Sequence, residues 1–126
     1  MCKKMILANV IFSLMLWAIP AYAKHIHLEK EYQAAFCNKN GGVLEYQIEG
    51  KRVDCLLNDY AVEVEFAPKR YEAIGQCLIY AALTGKKPAI LLIIETPEQE
   101  KYIQDLELVQ KMHELKFWII TPEDLK

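Results

Sequence analysis

Two acidic side chains stand on opposite arms of a β-hairpin that is predicted between residues 52 and 66. Each arm alternates between polar and apolar residues with a period of two, on either side of a polar Asn58-Asp59 turn. If the loop is symmetric about that turn, facing residues have numbers that add to 117, so Asp54 faces Glu63. Facing Cβ atoms lie about 4.5–5.5 Å apart, and like charges there are destabilising unless a cation neutralises them. Two carboxylates plus water are typical of the way proteins hold Mg²⁺.

The same register gives these acids a second explanation. It places Arg52 opposite Glu65, so the acids could form the solvent-facing side of an antiparallel sheet, with the arginine as a neutralising partner. Glu45, on a preceding strand predicted over residues 43–49, could join the same acidic face.

A helix is predicted directly after the hairpin, over residues 69–83, because a proline stands at its start and a glycine just past its end. Lys69 and Gln76 lie on a stripe beside its apolar face, so both side chains can extend towards the acids of the preceding strand. The other explanation for Lys69 is an ordinary ion pair with Glu65 or Glu72.

The remaining periodicities predict one α/β domain. An amphipathic helix spans 28–40, and residues 89–94 form an apolar strand that should lie at the sheet's centre, covered on both faces. A helix from about 97 to 114 and a strand at 117–120 complete the chain. The predicted order is α-β-β-β-α-β-α-β, with a mixed sheet flanked by helices.

The order and spacing of these motifs resemble the PD-(D/E)XK nuclease superfamily: an acid in the opening helix, Val-Asp on one strand, Glu-x-Glu on the next, then a helix with Lys and Gln. Four segments resemble, more closely, a group of small uncharacterised bacterial proteins with that core: Arg-Val-Asp-Cys-Leu, Ala-Val-Glu-Val-Glu-Phe-Ala, Glu-Ala-Ile-Gly-Gln and Thr-Gly-Lys-Lys-Pro. The likeness covers residues 29–95 and implies a restriction-endonuclease-like core.

This resemblance implies a metal-dependent nuclease that hydrolyses phosphodiester bonds in DNA or RNA. Asp54 and Glu63 would hold Mg²⁺ or Mn²⁺, Glu31 would be an accessory acid, and Gln76 would be the glutamine of the helix.

One position departs from the superfamily's pattern. The motif's lysine should lie two residues after Glu63, and this chain has Glu65 there. Lys69 would then supply the positive charge from the start of the helix. Without that charge the domain would be catalytically inactive and would bind a partner or nucleic acid without cutting it, which is the alternative function.

Residues 1–23 have the features of an export signal. Lys3 and Lys4 precede an apolar run over residues 5–19, and Ala21-Tyr22-Ala23 places small residues at the cleavage positions. A membrane anchor is the other explanation, but the run is shorter than the ~20 residues that a span requires. Cleavage after Ala23 would release residues 24–126 as a periplasmic or secreted domain with no membrane attachment.

The charge of residues 24–126 limits the mode of nucleic-acid binding. All 17 acids lie in this segment, and 13 of the 15 bases remain once the two lysines of the signal are removed, so the net charge is −4. This balance disfavours broad electrostatic attachment to nucleic acid. Three basic doublets could still form a local path for phosphates, or they could be ordinary surface charge: Lys51-Arg52, Lys69-Arg70 and Lys86-Lys87.

Three cysteines follow the signal, and export would allow two of them to form a disulfide. Cys37 with Cys55 is the favoured pair because both can lie on the same side of the sheet, which leaves Cys77 as a small buried hydrophobic residue. No Cys-x-x-Cys or Cys/His spacing indicates a zinc site. His25 and His27 lie in a predicted terminal tail without further ligands nearby.

Overall fold

The computed structural model describes residues 24–126, and the predicted export signal lies outside them. None of the helices in residues 24–126 is long and apolar enough to cross a membrane. The helices are α1 (Glu29–Lys39), α2 (Arg70–Thr84) and α3 (Ile103–Gln110). The strands are β1 (Val43–Ile48), β2 (Lys51–Leu56), β3 (Tyr60–Phe66), β4 (Lys87–Ile93) and β5 (Lys116–Ile120). Three 3₁₀ turns complete the domain: Ala67–Lys69, Pro97–Tyr102 and Pro122–Leu125.

The five strands form one mixed sheet in the order β1-β2-β3-β4-β5, which confirms the predicted α/β class. β1, β2 and β3 are an antiparallel meander, whereas β4 and β5 run parallel to β3. The prediction that the strand at 89–94 lies at the sheet's centre is wrong. β3 is the middle strand, and it is buried on both faces just as β4 is, so the apolar run alone could not distinguish the two positions.

The predicted register of the central hairpin is present. Cys55 pairs with Val62, a pair whose numbers add to 117, and the ladder ends there. Immediately beyond it, the amide of Val64 donates a hydrogen bond of 2.9 Å to the carboxylate of Asp54. At the point where Asp54 and Glu63 meet, the Val64 amide therefore bonds to the side chain of Asp54 and not to the main chain of β2.

The prediction that Arg52 neutralises Glu65 is wrong. Arg52 pairs with Gln47 in β1, and its guanidinium forms an ion pair with Glu45. Glu45 has a φ of 56°, which is uncommon for a residue other than glycine. Its carboxylate also accepts a hydrogen bond from the buried amide of Gln33 on α1.

Each face of the sheet packs against helices and forms its own core. On one face lie α1 and the side chains of Tyr32, Val62, Val64, Leu91 and Ile93; on the other lie α2, α3 and the side chains of Ala73, Cys77, Ile90, Leu92 and Leu106.

The helix predicted from about 97 to 114 is shorter than expected. Its first six residues form a 3₁₀ turn that buries no side chain, because residues 98–101 are all polar, and the α-helix ends at Gln110. Met112, which the predicted helix would have included, lies beyond that end and is 78% exposed. Leu78 of α2 is 41% exposed, because it lies beside the buried stripe of Ala73, Cys77 and Ala81.

The end of α1 is attached to β2 by a disulfide between Cys37 and Cys55, the pair favoured from the sequence, and Cys77 is a buried free thiol. Gly42 follows α1 and passes directly over this bond. A Cβ atom there would lie 2.7 Å from both sulfur atoms and from a methyl carbon of Leu57. Only glycine permits this approach, so the turn keeps α1 close to the strand that carries Asp54.

We predict that Gly42→Ala lowers the free energy of unfolding by about 1–3 kcal/mol, because the added methyl group must displace a covalently fixed pair of sulfurs. Gly75→Ala is the matched control. It lies within α2 with no atom within 4 Å of the new methyl group, so a gain of about 0.5–1 kcal/mol is expected from helix propensity. Denaturant unfolding of both variants tests this, and equal effects would contradict the packing argument.

Candidate functional site

An open cleft of about 640 Å³ lies between the β1–β2 hairpin and α2. Acidic side chains form one part of its lining and polar, cationic and apolar side chains form the rest. The lining residues are Glu29, Gln47, Lys51, Arg52, Asp54, Glu63, Glu65, Gln76, Ile79 and Tyr80.

Asp54 and Glu63 share this cleft, as the register predicted. Asp54 is half-buried, whereas Glu63 and its neighbour Glu65 keep only 6% and 9% of their surface exposed. The explanation in which these acids form a solvent-facing side of the sheet is therefore wrong. β3 is the central strand, and α2 covers the face on which its acids lie.

The two carboxyl groups have different affinities for a proton. Burial raises the pKa of Glu63 well above its ordinary value, and the adjacent negative charge of Asp54 raises it further. Burial also raises the pKa of Asp54, but the hydrogen bond from the Val64 amide and the nearby Glu63 carboxyl group oppose that rise. In the metal-free protein near neutral pH, Glu63 therefore holds a proton against the Asp54 carboxylate.

One oxygen of this pair has no partner. Oε2 of Glu63 is buried without a hydrogen bond to any residue of the 24–126 segment. A buried carboxyl oxygen without a partner carries a desolvation cost, so native proteins rarely keep one without a compensating ligand or function. It lies in the cleft beside Asp54, which makes it a free donor for a cation.

Two further acids enter the cluster. Oε1 of Glu65 accepts a 2.9 Å hydrogen bond from the Phe66 amide, and burial raises the pKa of Glu65 despite that bond. Glu29, the first residue of α1, has its pKa raised to about 7 by burial and by the charges of Glu65 and Asp54. Four carboxyl groups thus meet in one partly dehydrated space.

The acid that α1 brings to the cleft is Glu29, whereas Glu31 was expected there. Glu31 instead accepts a 2.6 Å hydrogen bond from the Leu28 amide, which caps the start of the helix. A glutamate three residues after the N-cap commonly has this function, and that signal could have directed attention to Glu29.

The start of α1 is fixed by Glu95, which the sequence did not indicate. Its carboxylate accepts hydrogen bonds from the Tyr32 hydroxyl at 2.8 Å, the His25 ring at 2.8 Å and the Ile26 amide at 2.9 Å. Burial opposes ionisation of Glu95, yet these bonds lower its pKa below the ordinary value. The His25 ring also stacks on Phe66 with ring centres 3.6 Å apart, so this segment is held and is not the free tail that was predicted.

The other predicted site residues lie at different distances from the acids. Gln76 lines the cleft from α2. Lys69 is exposed and does not belong to the lining, but its positive charge lowers the pKa values of Glu65 and Glu29. Glu45, which was expected to join the acidic face, is outside the lining and instead forms an ion pair with Arg52, which lines the cleft.

The donor atoms are compatible with a hard divalent cation. Within residues 24–126, no three His, Cys, Asp or Glu side chains are arranged to hold a metal ion together. Mg²⁺, however, usually keeps several of its waters and binds proteins through only one or two carboxylates. Asp54 and the unpartnered oxygen of Glu63 meet that requirement.

We predict that the metal-free protein loses stability as pH rises. A carboxyl whose folded-state pKa is raised binds more protons in the folded than in the unfolded state. Its stabilising contribution is complete below the ordinary value of 4.5 and is lost as pH rises through the folded value, about 7 for Glu29 and higher for Glu63. Thermal melts in EDTA should therefore show a falling melting temperature between these limits.

Glu63→Gln should flatten this pH dependence and raise the melting temperature at alkaline pH by about 4–8 °C for each kcal/mol of repulsion removed. Glu107→Gln, an exposed acid on α3, is the matched control and should leave the profile unchanged. A wild-type melting temperature that rises with pH would contradict the assignment of raised pKa values.

Comparison with known proteins gives one match. Over 102 residues, 81% of this chain, the sequence is 28% identical to a protein of Acanthamoeba polyphaga mimivirus whose name describes a KilA-N domain. The match covers 40% of that protein, so the chain spans less than half of its length. No family model matches the chain, and no solved structure matches it.

Proposed function

We propose that residues 24–126 form an exported, metal-dependent nuclease domain with a restriction-endonuclease-like core, which hydrolyses phosphodiester bonds in nucleic acid. The motif order supports it, since an α1 acid, the Asp54 strand, the Glu63 strand and the Gln76 helix follow one another around the cleft. Export to the periplasm or the medium is supported by the signal-like segment at residues 1–23 and by the Cys37–Cys55 disulfide, since disulfides persist mainly in oxidising compartments.

A single observation carries this proposal: Asp54 and Glu63 meet in a cleft where one oxygen of Glu63 is buried without a partner among residues 24–126. β-Sheets without a functional site rarely bury two facing acids, because the repulsion between the carboxylates and their desolvation are both costly. Groups with pKa values shifted by burial and by a like charge are frequent at functional sites.

The side chains of the cleft have distinct functions in such a reaction. Asp54 and Glu63 would hold Mg²⁺ or Mn²⁺, which when bound activates water and polarises the phosphate. Lys51 and Arg52 on the hairpin wall can bind the oxygens of neighbouring phosphates.

The missing lysine favours a second candidate, a nuclease-like domain that binds a partner or nucleic acid without cutting. Glu65 occupies the position of the motif's lysine, and Lys69 is outside the cleft lining. Lys69 stands one residue before α2, and its flexible side chain would have to turn inward when substrate binds. Its charge already influences Glu65 and Glu29, which puts the acids within its electrostatic reach.

We predict that residues 24–126 cleave nucleic acid with Mg²⁺ or Mn²⁺ and not in EDTA. Asp54→Asn and Glu63→Gln should each reduce cleavage by about 100-fold or more, because losing the metal removes several kcal/mol of transition-state stabilisation. Both variants should nevertheless remain folded, and Glu63→Gln should be more stable without metal. Plasmid and RNA cleavage assays combined with thermal melts test both effects.

Wild-type cleavage separates the two candidates, and Lys69→Met tests whether Lys69 provides the charge of the motif's lysine. If this lysine replaces the motif's lysine, its loss should slow cleavage, whereas Glu65→Gln should have a smaller effect. Glu107→Gln, on the surface of α3, should cleave at the wild-type rate. Cleavage by Asp54→Asn and Glu63→Gln at the wild-type rate would overturn the site, and pure wild-type protein that binds but never cuts would favour the non-catalytic domain.

A further inference from the structure

We infer that the cleft admits one unpaired nucleic-acid strand and excludes a duplex. This inference rests on the proposed function and specifies its substrate class. It follows from the depth of the acids, from the chemical difference between the two walls of the cleft and from the charge of the domain.

The depth of the acids restricts what can reach them. Glu63 and Glu65 retain 6% and 9% of their surface exposed, so a phosphodiester must enter the cleft to contact them. A strand without its complement can bend inward and place one phosphate at that depth. In a duplex the same phosphate is fixed to a paired and stacked helix, and extracting the strand costs a few kcal/mol for each flipped nucleotide.

The two walls differ in a way that suits a single strand. The β1–β2 hairpin contributes Lys51 and Arg52, both exposed. The ion pair of Arg52 with Glu45 is exposed to solvent, so breaking it to bind a phosphate costs little free energy. The opposite wall, α2, contributes Ile79, which is 51% exposed, and the half-buried ring of Tyr80. Cations on one side for the backbone and an apolar and aromatic surface on the other for bases are the pattern of single-strand binding grooves.

The charge of the domain points in the same direction. A duplex carries one negative charge per ~1.7 Å of its axis, and proteins that bind it neutralise many phosphates at once. Residues 24–126 carry a net charge of −4, and the cleft offers two cations. Affinity for a single strand should therefore have a weak salt dependence. A plot of the logarithm of the binding constant against the logarithm of the salt concentration should have a slope near −1.4, because each of the two neutralised phosphates contributes about −0.7.

Binding to the Glu63→Gln variant in Mg²⁺ tests this inference without interference from cleavage. The probes are a fluorescent single-stranded oligonucleotide, the same sequence as a blunt duplex, and a mononucleotide as competitor. We expect the single strand to bind at least about tenfold more tightly than the duplex, with the salt slope given above. Equal or tighter duplex binding, or full competition by a mononucleotide at the concentration of the oligonucleotide, would overturn the inference.

Substitutions of residues that line the two walls of the cleft show where the strand binds. Tyr80→Ala should weaken single-strand affinity by about fivefold or more, the usual loss when a base loses an aromatic neighbour, and Ile79→Ser should weaken it less. Leu108→Ser is the matched control, since Leu108 is 57% exposed on α3, and it should bind like the parent. Lys51→Ala should reduce the salt slope by about 0.7, whereas Lys111→Ala should not change it. Unchanged affinity in both Tyr80→Ala and Ile79→Ser would overturn the assignment of the wall.

Cleavage assays on wild-type protein distinguish failure of this inference from failure of the proposed function. Cleavage of the duplex faster than the single strand would reject the inference and leave the nuclease intact. No cleavage of either substrate, with single-strand binding preserved, would reject the nuclease and keep the preference for an unpaired strand.

Discussion

The structure depends on two carboxyl groups that are held side by side where water reaches them poorly. β2 and β3 bring Asp54 and Glu63 together through a register that apolar partners fix at Cys55 and Val62. Burial and mutual repulsion then make the doubly ionised pair costly, and a hydrogen bond donated by the Val64 amide to Asp54 offsets only part of that cost. The hairpin cannot slip to separate the acids, because a shift by one residue would turn its apolar side chains away from the core.

The remaining elements bring other groups to this pair. α2 follows β3 directly, and it closes one side of the cleft with Gln76, Ile79 and Tyr80. α1 crosses the opposite face of the sheet and is fixed at both ends, by the hydrogen bonds to Glu95 at its start and by the disulfide at its end. Because both ends are held, α1 is positioned so that its first residue, Glu29, lies in the cleft with the acid cluster.

Local sequence patterns predicted much of this arrangement. The period of two and a symmetric turn were enough to place Asp54 beside Glu63, and the shared face of Cys37 and Cys55 was enough to favour the pair that is joined. The first inference depends on neighbours whose separation is set by strand geometry, which the sequence encodes directly. The second depends on α1 and the apolar side of β2 facing the same side of the sheet.

Contacts between distant segments could not be predicted in this way. The Glu95 carboxylate binds a segment about seventy residues earlier in the chain, and no local sequence pattern predicts a contact over that distance. Glu29 and Glu31 are both acids of the first turn of α1, so only the capping bond and the orientation of the helix decide which one enters the cleft. The direction of the Lys69 side chain is likewise set by its surroundings rather than by its spacing.

The most direct test of the acid pair is calorimetric titration of Mn²⁺ into residues 24–126 in buffers that differ in ionisation enthalpy. A metal that binds Asp54 and Glu63 must displace the proton that Glu63 holds near neutral pH, since ligands bind in their deprotonated form. We expect one bound metal with release of close to one proton, and loss of both in the Asp54→Asn/Glu63→Gln double variant. Binding that releases no proton, or that persists unchanged in the double variant, would contradict it.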